Sequence, residues 1–184
     1  MVELVAEMQY ALDEFGERPS PVEVFAAGAG LAPYHEAAIA AATLVWADPP
    51  ETVVDLARVF DGANAGGPFF SPDHPRLEGD GRERLLAYLR AGEALLSTTN
   101  TMDDVVDRGQ GAVVPLNYRS DGRWIWTDAV AYYLDRHHLA PDPGLTAHVL
   151  GAPARPAPLG WLGRHRALAA LAAPADWEPV WSAG

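Results

Sequence analysis

The sequence contains no cysteine and no lysine. The first absence excludes disulfide scaffolds, thiolate zinc sites and thiol nucleophiles. The second excludes a Schiff-base amine and a P-loop lysine, since all 13 basic residues are arginine. Combined with abundant Ala, Gly, Pro and Arg, it reads as codon bias of a GC-rich genome. Long hydrophobic runs are missing too: no stretch reaches the about 18 consecutive apolar residues that a membrane span requires. The opening MVELVAEMQYALDEF carries Glu3 and Glu7 where a secretory leader would be positive, and its apolar residues are periodic rather than continuous. A cytoplasmic location is the expectation.

What is present suits a folded protein. The chain has 184 residues, 49% of them hydrophobic and 21% charged, enough for a single domain to bury a core unaided. The net charge of −12 is uneven: residues 1–151 hold 23 acids against 10 arginines, and 152–184 hold 2 against 3. Such a body repels nucleic-acid phosphates and favours a basic protein partner, although a negative surface also serves solubility. Neither nucleic acid nor a membrane is expected as a partner, and self-association through an aromatic face stays open.

Helical spacing dominates the first third. Leu4, Val5, Met8, Leu12 and Phe15 share a face before Gly16. Ser20, Pro21 and Glu23 open a short helix to about Leu31, and an Ala-rich helix follows from about Tyr34 to Trp46. Val53, Leu56, Ala57 and Phe60 give a fourth stripe, so residues 1–61 read as a small helical bundle. Residues 62–81, GANAGGPFFSPDHPRLEGDG, read as a long irregular loop that Phe69 and Phe70 pin to the core or that covers a pocket. Residues 82–151 read as an α+β part: a helix on Leu85, Leu86 and Leu89, a strand over 93–99, and a capping box from Thr101 to Asp104 opening a short turn. A strand over 112–118 and a Ser120-Asp121-Gly122 turn then lead into a strand over 123–127. Trp124 and Trp126 share one face of that strand and Ile125 the other, and Thr127 caps the next helix. Residues 152–184 read as a Pro-rich, Trp-containing tail packed on the body, with Arg155, Arg164 and Arg166 toward its acidic surface. The fold class expected is α+β, predominantly helical, with the N-terminal bundle packed on an antiparallel sheet of about three strands.

The chemistry-bearing residues form no specific motif. His137 and His138 are adjacent and face different sides of a helix, and neither HExxH nor a two-His-one-carboxylate spacing occurs, so no metal and no cofactor are expected. Asp103, Asp104 and Asp107 make the densest acidic cluster, which reads as solvated or capping acids, a partner-binding patch, or acid–base groups. The two tryptophans either anchor the sheet on the helices or form a recognition surface flanked by Asp121 and Asp128.

The run VVPLNYRSDGRWIWTDAVAYYLDRHHLAPDP resembles a segment of small uncharacterised actinobacterial proteins, some of which are similar to immunity proteins of polymorphic toxin systems. The likeness covers about residues 93–150. It implies action by binding and no catalytic residue. The leading expectation is thus an acidic binding protein of immunity or adaptor type that sequesters a basic partner through Asp103, Asp104, Asp107, Asp121, Trp124 and Trp126. The alternative is a small cofactor-free enzyme or ligand-binding accessory protein of specialised metabolism, with Asp73 or His74 and Asp128 as acid–base groups.

Overall fold

The computed structural model describes Glu7, Tyr10, Glu14, residues 30–42 and residues 53–172. The chain divides into two compact units, Met1–Thr43 and Leu44–Gly184.

In the first unit, helix α1 spans Pro33–Ala41. Proline suits the first helical position, where the missing N–H would have had no partner and φ is already set. The Ala32 carbonyl accepts the His35 and Glu36 N–H groups, and extended Ala42 ends the helix. Glu7, Tyr10 and Glu14 are helical and exposed. The stripe Leu4, Val5, Met8, Leu12 and Phe15, residues 20–29 of the helix expected from Ser20, and residues 43–46 lie outside the described residues, while Gly30 and Leu31 at that helix's expected end are not helical.

The second unit overturns the expectation of an N-terminal bundle. Val53, Leu56, Ala57 and Phe60 are not helical; Asp55–Leu56 forms strand β1 and residues 57–60 follow without regular structure. The spacing of these four residues fits a helix, but Val53, Val54 and Val59 are β-branched and favour a pleated surface. An edge with unpaired backbone groups supplies the tertiary partner. The Asp55 and Ala57 N–H groups donate to Arg123 and Ile125 carbonyls at 3.0 and 2.8 Å.

The 62–81 segment also contains regular structure. Strands β2 (Gly62–Asn64) and β3 (Gly67–Phe69) form an antiparallel hairpin. Its signal lies in the turn: Asn64 Oδ1 accepts the Gly66 N–H at 2.8 Å, and Gly67 takes a φ of 101°. Phe70 packs on Phe60 and Tyr133 at ring separations of 5.1 and 4.9 Å, whereas Phe69 is partly exposed.

Helix α2 (Gly79–Ala91) leads into β4 (Glu93–Leu96). Strands β5 (Thr101–Asp103) and β6 (Ala112–Pro115) form a separate ribbon, joined by a 3₁₀ turn at Arg108–Gln110. The strand expected over 112–118 is therefore divided between two sheets, because β7 (Tyr118–Ser120) pairs with β8 (Trp124–Thr127) and β4 instead. Nor is Thr101 a helix cap: its hydroxyl donates across the ribbon to the Ala112 carbonyl at 2.8 Å. Helices α3 (Asp128–His137), α4 (Pro143–Gly151) and α5 (Trp161–Ala172) complete the chain order.

The central sheet runs β1-β8-β7-β4, with β1 parallel to β8 and the other pairs antiparallel. One face carries Trp126 against Leu85, Leu89, Val130, Leu134, Leu145 and Val149, from α2, α3 and α4. The other places Ile125 and Leu95 against Ala167 of α5. Alternation along β8 thus feeds two cores at once. Arg164 secures α5 by donating to Glu93 Oε1 at 3.1 Å and to the Ala94 carbonyl at 2.8 Å. Trp177 and Trp181 lie outside the described residues. The architecture is α+β, with five helices besides the helical Glu7, Tyr10 and Glu14 and eight strands in one four-stranded and two two-stranded sheets among the described residues, in place of the expected bundle packed on a single sheet of about three strands. No helix among them is long and apolar enough to cross a membrane.

Candidate functional site

Asp104 directly follows the last residue of β5 and is fully buried. Its Oδ1 accepts the N–H groups of Val106 and Asp107 at 2.9 and 3.1 Å, and its Oδ2 accepts the Tyr132 hydroxyl at 2.9 Å and His137 Nε2–H at 2.6 Å. Both oxygens are occupied. Burial raises the carboxyl's pKa, but the four bonds outweigh it and hold the group below the ordinary value of 3.8. The Val105 N–H donates to the Tyr133 hydroxyl at 3.2 Å, a second tie between this loop and α3.

The same loop displays its other residues. Asp103 and Asp107 are exposed, Val106 is 45% exposed, and Val113 on β6 is 41% exposed. Asp107 accepts the Gly109 N–H at 3.2 Å and Gln110 Nε2–H at 3.0 Å, capping the 3₁₀ turn. A cleft of about 290 Å³ adjoins the loop, between Asp103, Asp104 and Val105 on one side and Gly66 and Pro68 of the β2–β3 hairpin on the other.

Three of the six residues expected at a partner surface are internal. Besides Asp104, the Asp121 side chain is only 3% exposed: Oδ2 accepts Tyr88 O–H at 2.8 Å and His148 Nε2–H at 2.6 Å, while Oδ1 accepts the Arg123 and Trp124 N–H groups. Trp126 is fully buried, its indole N–H donating to the Leu89 carbonyl at 3.1 Å. Trp124 is half-buried against the same core. Sequence density shows where acids concentrate but not which ones meet converging N–H donors, and turns supply such donors to Asp104 and Asp121.

The acid–base alternative fares similarly. Asp73 is an exposed turn residue. His74 Nδ1 faces Asp61 Oδ2 at 2.9 Å and its Nε2 donates to the Ala140 carbonyl at 2.9 Å, so neither ring nitrogen is left for a substrate. Asp61 is held below the ordinary carboxylate range because the Ser71 N–H and His74 together outweigh its burial. Asp128 accepts Arg119 Nε–H at 2.5 Å and Asn117 Nδ2–H at 2.8 Å, in a network separate from that of His74. Among the described residues, no group of three or more His, Asp or Glu is placed to hold a metal ion.

Partners such as Asp61, Tyr88, Tyr132 and His148 escaped the reading of the sequence. The three Asp–His pairs are 13, 33 and 27 residues apart, so no local spacing announces them.

A second concavity, of about 590 Å³, lies where residues 56–60, residues 98–102 and the end of β8 converge; Leu56, Phe60, Met102, Leu116, Tyr118 and Thr127 contribute to its walls. Comparison of the chain with known protein families, with curated proteins and with solved structures found no match.

Proposed function

We propose that the chain is a cytoplasmic binding protein of immunity or adaptor type that engages a basic protein partner through the loop following β5. The observation that carries this reading is the use of one buried carboxylate, Asp104, to fix the loop on which Asp103, Val106 and Asp107 are displayed. A loop fixed before binding loses little entropy when a partner arrives. Exposed apolar groups next to exposed acids suit a partner whose surface combines arginine or lysine with aliphatic side chains. Charge supports the same partner class: residues 1–43 carry 7 acids against 1 arginine, and residues 44–184 carry 18 against 12, so both units are net negative.

The test compares the immobilised full chain with an Asp103→Arg/Val106→Asp variant in a native lysate, followed by titration with the purified partner. The expected result is a basic protein, including any product of an adjacent gene, that binds stoichiometrically to the wild type and at least about tenfold more weakly to the variant. Retention of no stoichiometric partner, or of one indifferent to both substitutions, would sink the proposal. Circular dichroism on the variant guards against loss of fold as the cause.

A further inference from the structure

The 290 Å³ cleft between the β2–β3 hairpin and the loop after β5 carries two charges of opposite sign. Asp103 and Arg108 both contribute to its walls, and Met102, Val105 and Pro68 supply apolar surface. Asp104, the other acid of the lining, has both oxygens occupied by Val106, Asp107, Tyr132 and His137.

The two charges do not neutralise one another. Arg58, Arg82, Arg90, Arg119, Arg123 and Arg164 each pair with a carboxylate, at 2.5 to 3.4 Å. Arg108 does not, although Asp103 lines the same cleft: its one hydrogen bond runs from Nη2 to the Gly66 carbonyl at 3.3 Å. A guanidinium has five N–H donors, so most remain for another acceptor. Asp103 is exposed, and among the described residues its carboxylate has no hydrogen-bond or ion-pair partner. The backbone holds both groups in place. Asp104 fixes the loop directly after Asp103, and Asp107 caps the 3₁₀ turn that begins at Arg108. A ligand that spans the two charges meets them already positioned.

We propose that this cleft binds a small zwitterion, a free α-amino acid with an aliphatic side chain. Its ammonium meets Asp103, its carboxylate meets the planar guanidinium of Arg108, and its side chain lies on Met102, Val105 and Pro68. A lone cation is opposed by Arg108 and a lone anion by Asp103, so the pair selects a molecule that carries both charges. The volume lies at the small end of the roughly 300–1,000 Å³ range of ligand sites, which suits a single amino acid.

The probe is L-leucine, titrated at low salt against the isotope-labelled full-length chain and followed by amide chemical shifts. N-acetyl-L-leucine, which lacks the ammonium, and L-leucinamide, which lacks the carboxylate, are the counterparts. The expected result is a saturable shift confined to the hairpin and the loop, with a Kd of about 0.1–1 mM and each counterpart at least about threefold weaker. Asp103→Asn erases the preference over N-acetyl-leucine and Arg108→Gln the preference over leucinamide, both with circular dichroism unchanged. No saturable shift at millimolar leucine, shifts centred elsewhere, counterparts that bind as tightly as leucine, or wild-type discrimination in either variant overturns the assignment. Asp103 also belongs to the loop proposed above to engage a protein, but this titration contains no partner, so the two readings fail separately.

Discussion

Asp104 and His137, 33 residues apart in sequence, meet at 2.6 Å with the carboxylate fully buried and the imidazole 16% exposed. Because the acceptor is a carboxylate, Nε2 of His137 carries the proton. The bond joins the last turn of α3 to the loop that leaves β5. It therefore couples the only segment that displays Asp103, Val106 and Asp107 to the aromatic core around Tyr133.

Asp104→Ala removes the acceptor for two N–H groups, the Tyr132 hydroxyl and His137 at once. Uncompensated buried donors of this kind cost about 3–5 kcal/mol. Urea denaturation should show a loss of that size, with Asp104→Asn losing less, because an amide oxygen still accepts the Val106 and Asp107 N–H groups. A loss under about 1 kcal/mol for the alanine variant would show that the loop does not depend on this carboxylate.

Acid should act on the same bonds. Asp61 and Asp104 both have folded pKa values below 3.8, so their contribution to stability is complete above the unfolded value and disappears as pH falls through the lower, folded values. The melting temperature should therefore drop steeply below about pH 4. In Asp104→Asn the drop should be shallower. An unaltered acid profile in that variant would remove Asp104 from the account.

The turn, strand and helix from Asp121 to His137 could be read from the sequence because their determinants are local, whereas the first strand of the hairpin, Tyr118–Ser120, was expected earlier, over 112–118. Ser120-Asp121-Gly122 sets the turn, Gly122 adopting a φ of 90°, and Trp124-Ile125-Trp126 alternates between the two faces of the sheet. Strand β1 could not be read, because what makes it a strand is the edge of β8, about 70 residues away. The acidic cluster was half legible. Asp103 and Asp107 are displayed as their composition suggests, but Asp104 differs from them only through Tyr132 and His137, which no spacing within the cluster could reveal. Thr127 misled for a related reason: its position is that of an N-cap, and its hydroxyl makes no such bond.

Each tryptophan of the hairpin lies against a glycine. A β-carbon on Gly92 would overlap the Trp126 ring, and one on Gly144 would sit 2.8 Å from Trp124 Cη2. Gly92 has a φ of −58°, which any residue adopts, so the restriction there is steric and not conformational. Gly92→Ala should cost about 1–3 kcal/mol through overpacking. Combining it with Trp126→Leu should recover part of that cost, since the smaller side chain yields space. A double-mutant cycle with no coupling would refute the contact as the cause.

At the alkaline end the buried phenols become the sensitive groups. Burial pushes the Tyr133 hydroxyl up to about 12, and burial together with the Asp104 and Asp121 carboxylates raises Tyr132 and Tyr88 above 10.0. A phenol whose folded value is raised stabilises the fold fully below its unfolded value of 10.0 and loses that contribution as pH climbs toward the folded value. Among the six tyrosines, absorbance at about 295 nm should therefore show Tyr88 and Tyr133 ionising only as the protein unfolds, with the loss of circular dichroism, and Tyr132 ionising above the ordinary phenol value. Asp121→Asn removes the charge beside Tyr88 and should let that one phenol ionise at lower pH, while the steps of Tyr132 and Tyr133 stay in place. Smooth ionisation of all six near pH 10, with the fold intact, would contradict the buried hydroxyl bonds on which this prediction rests.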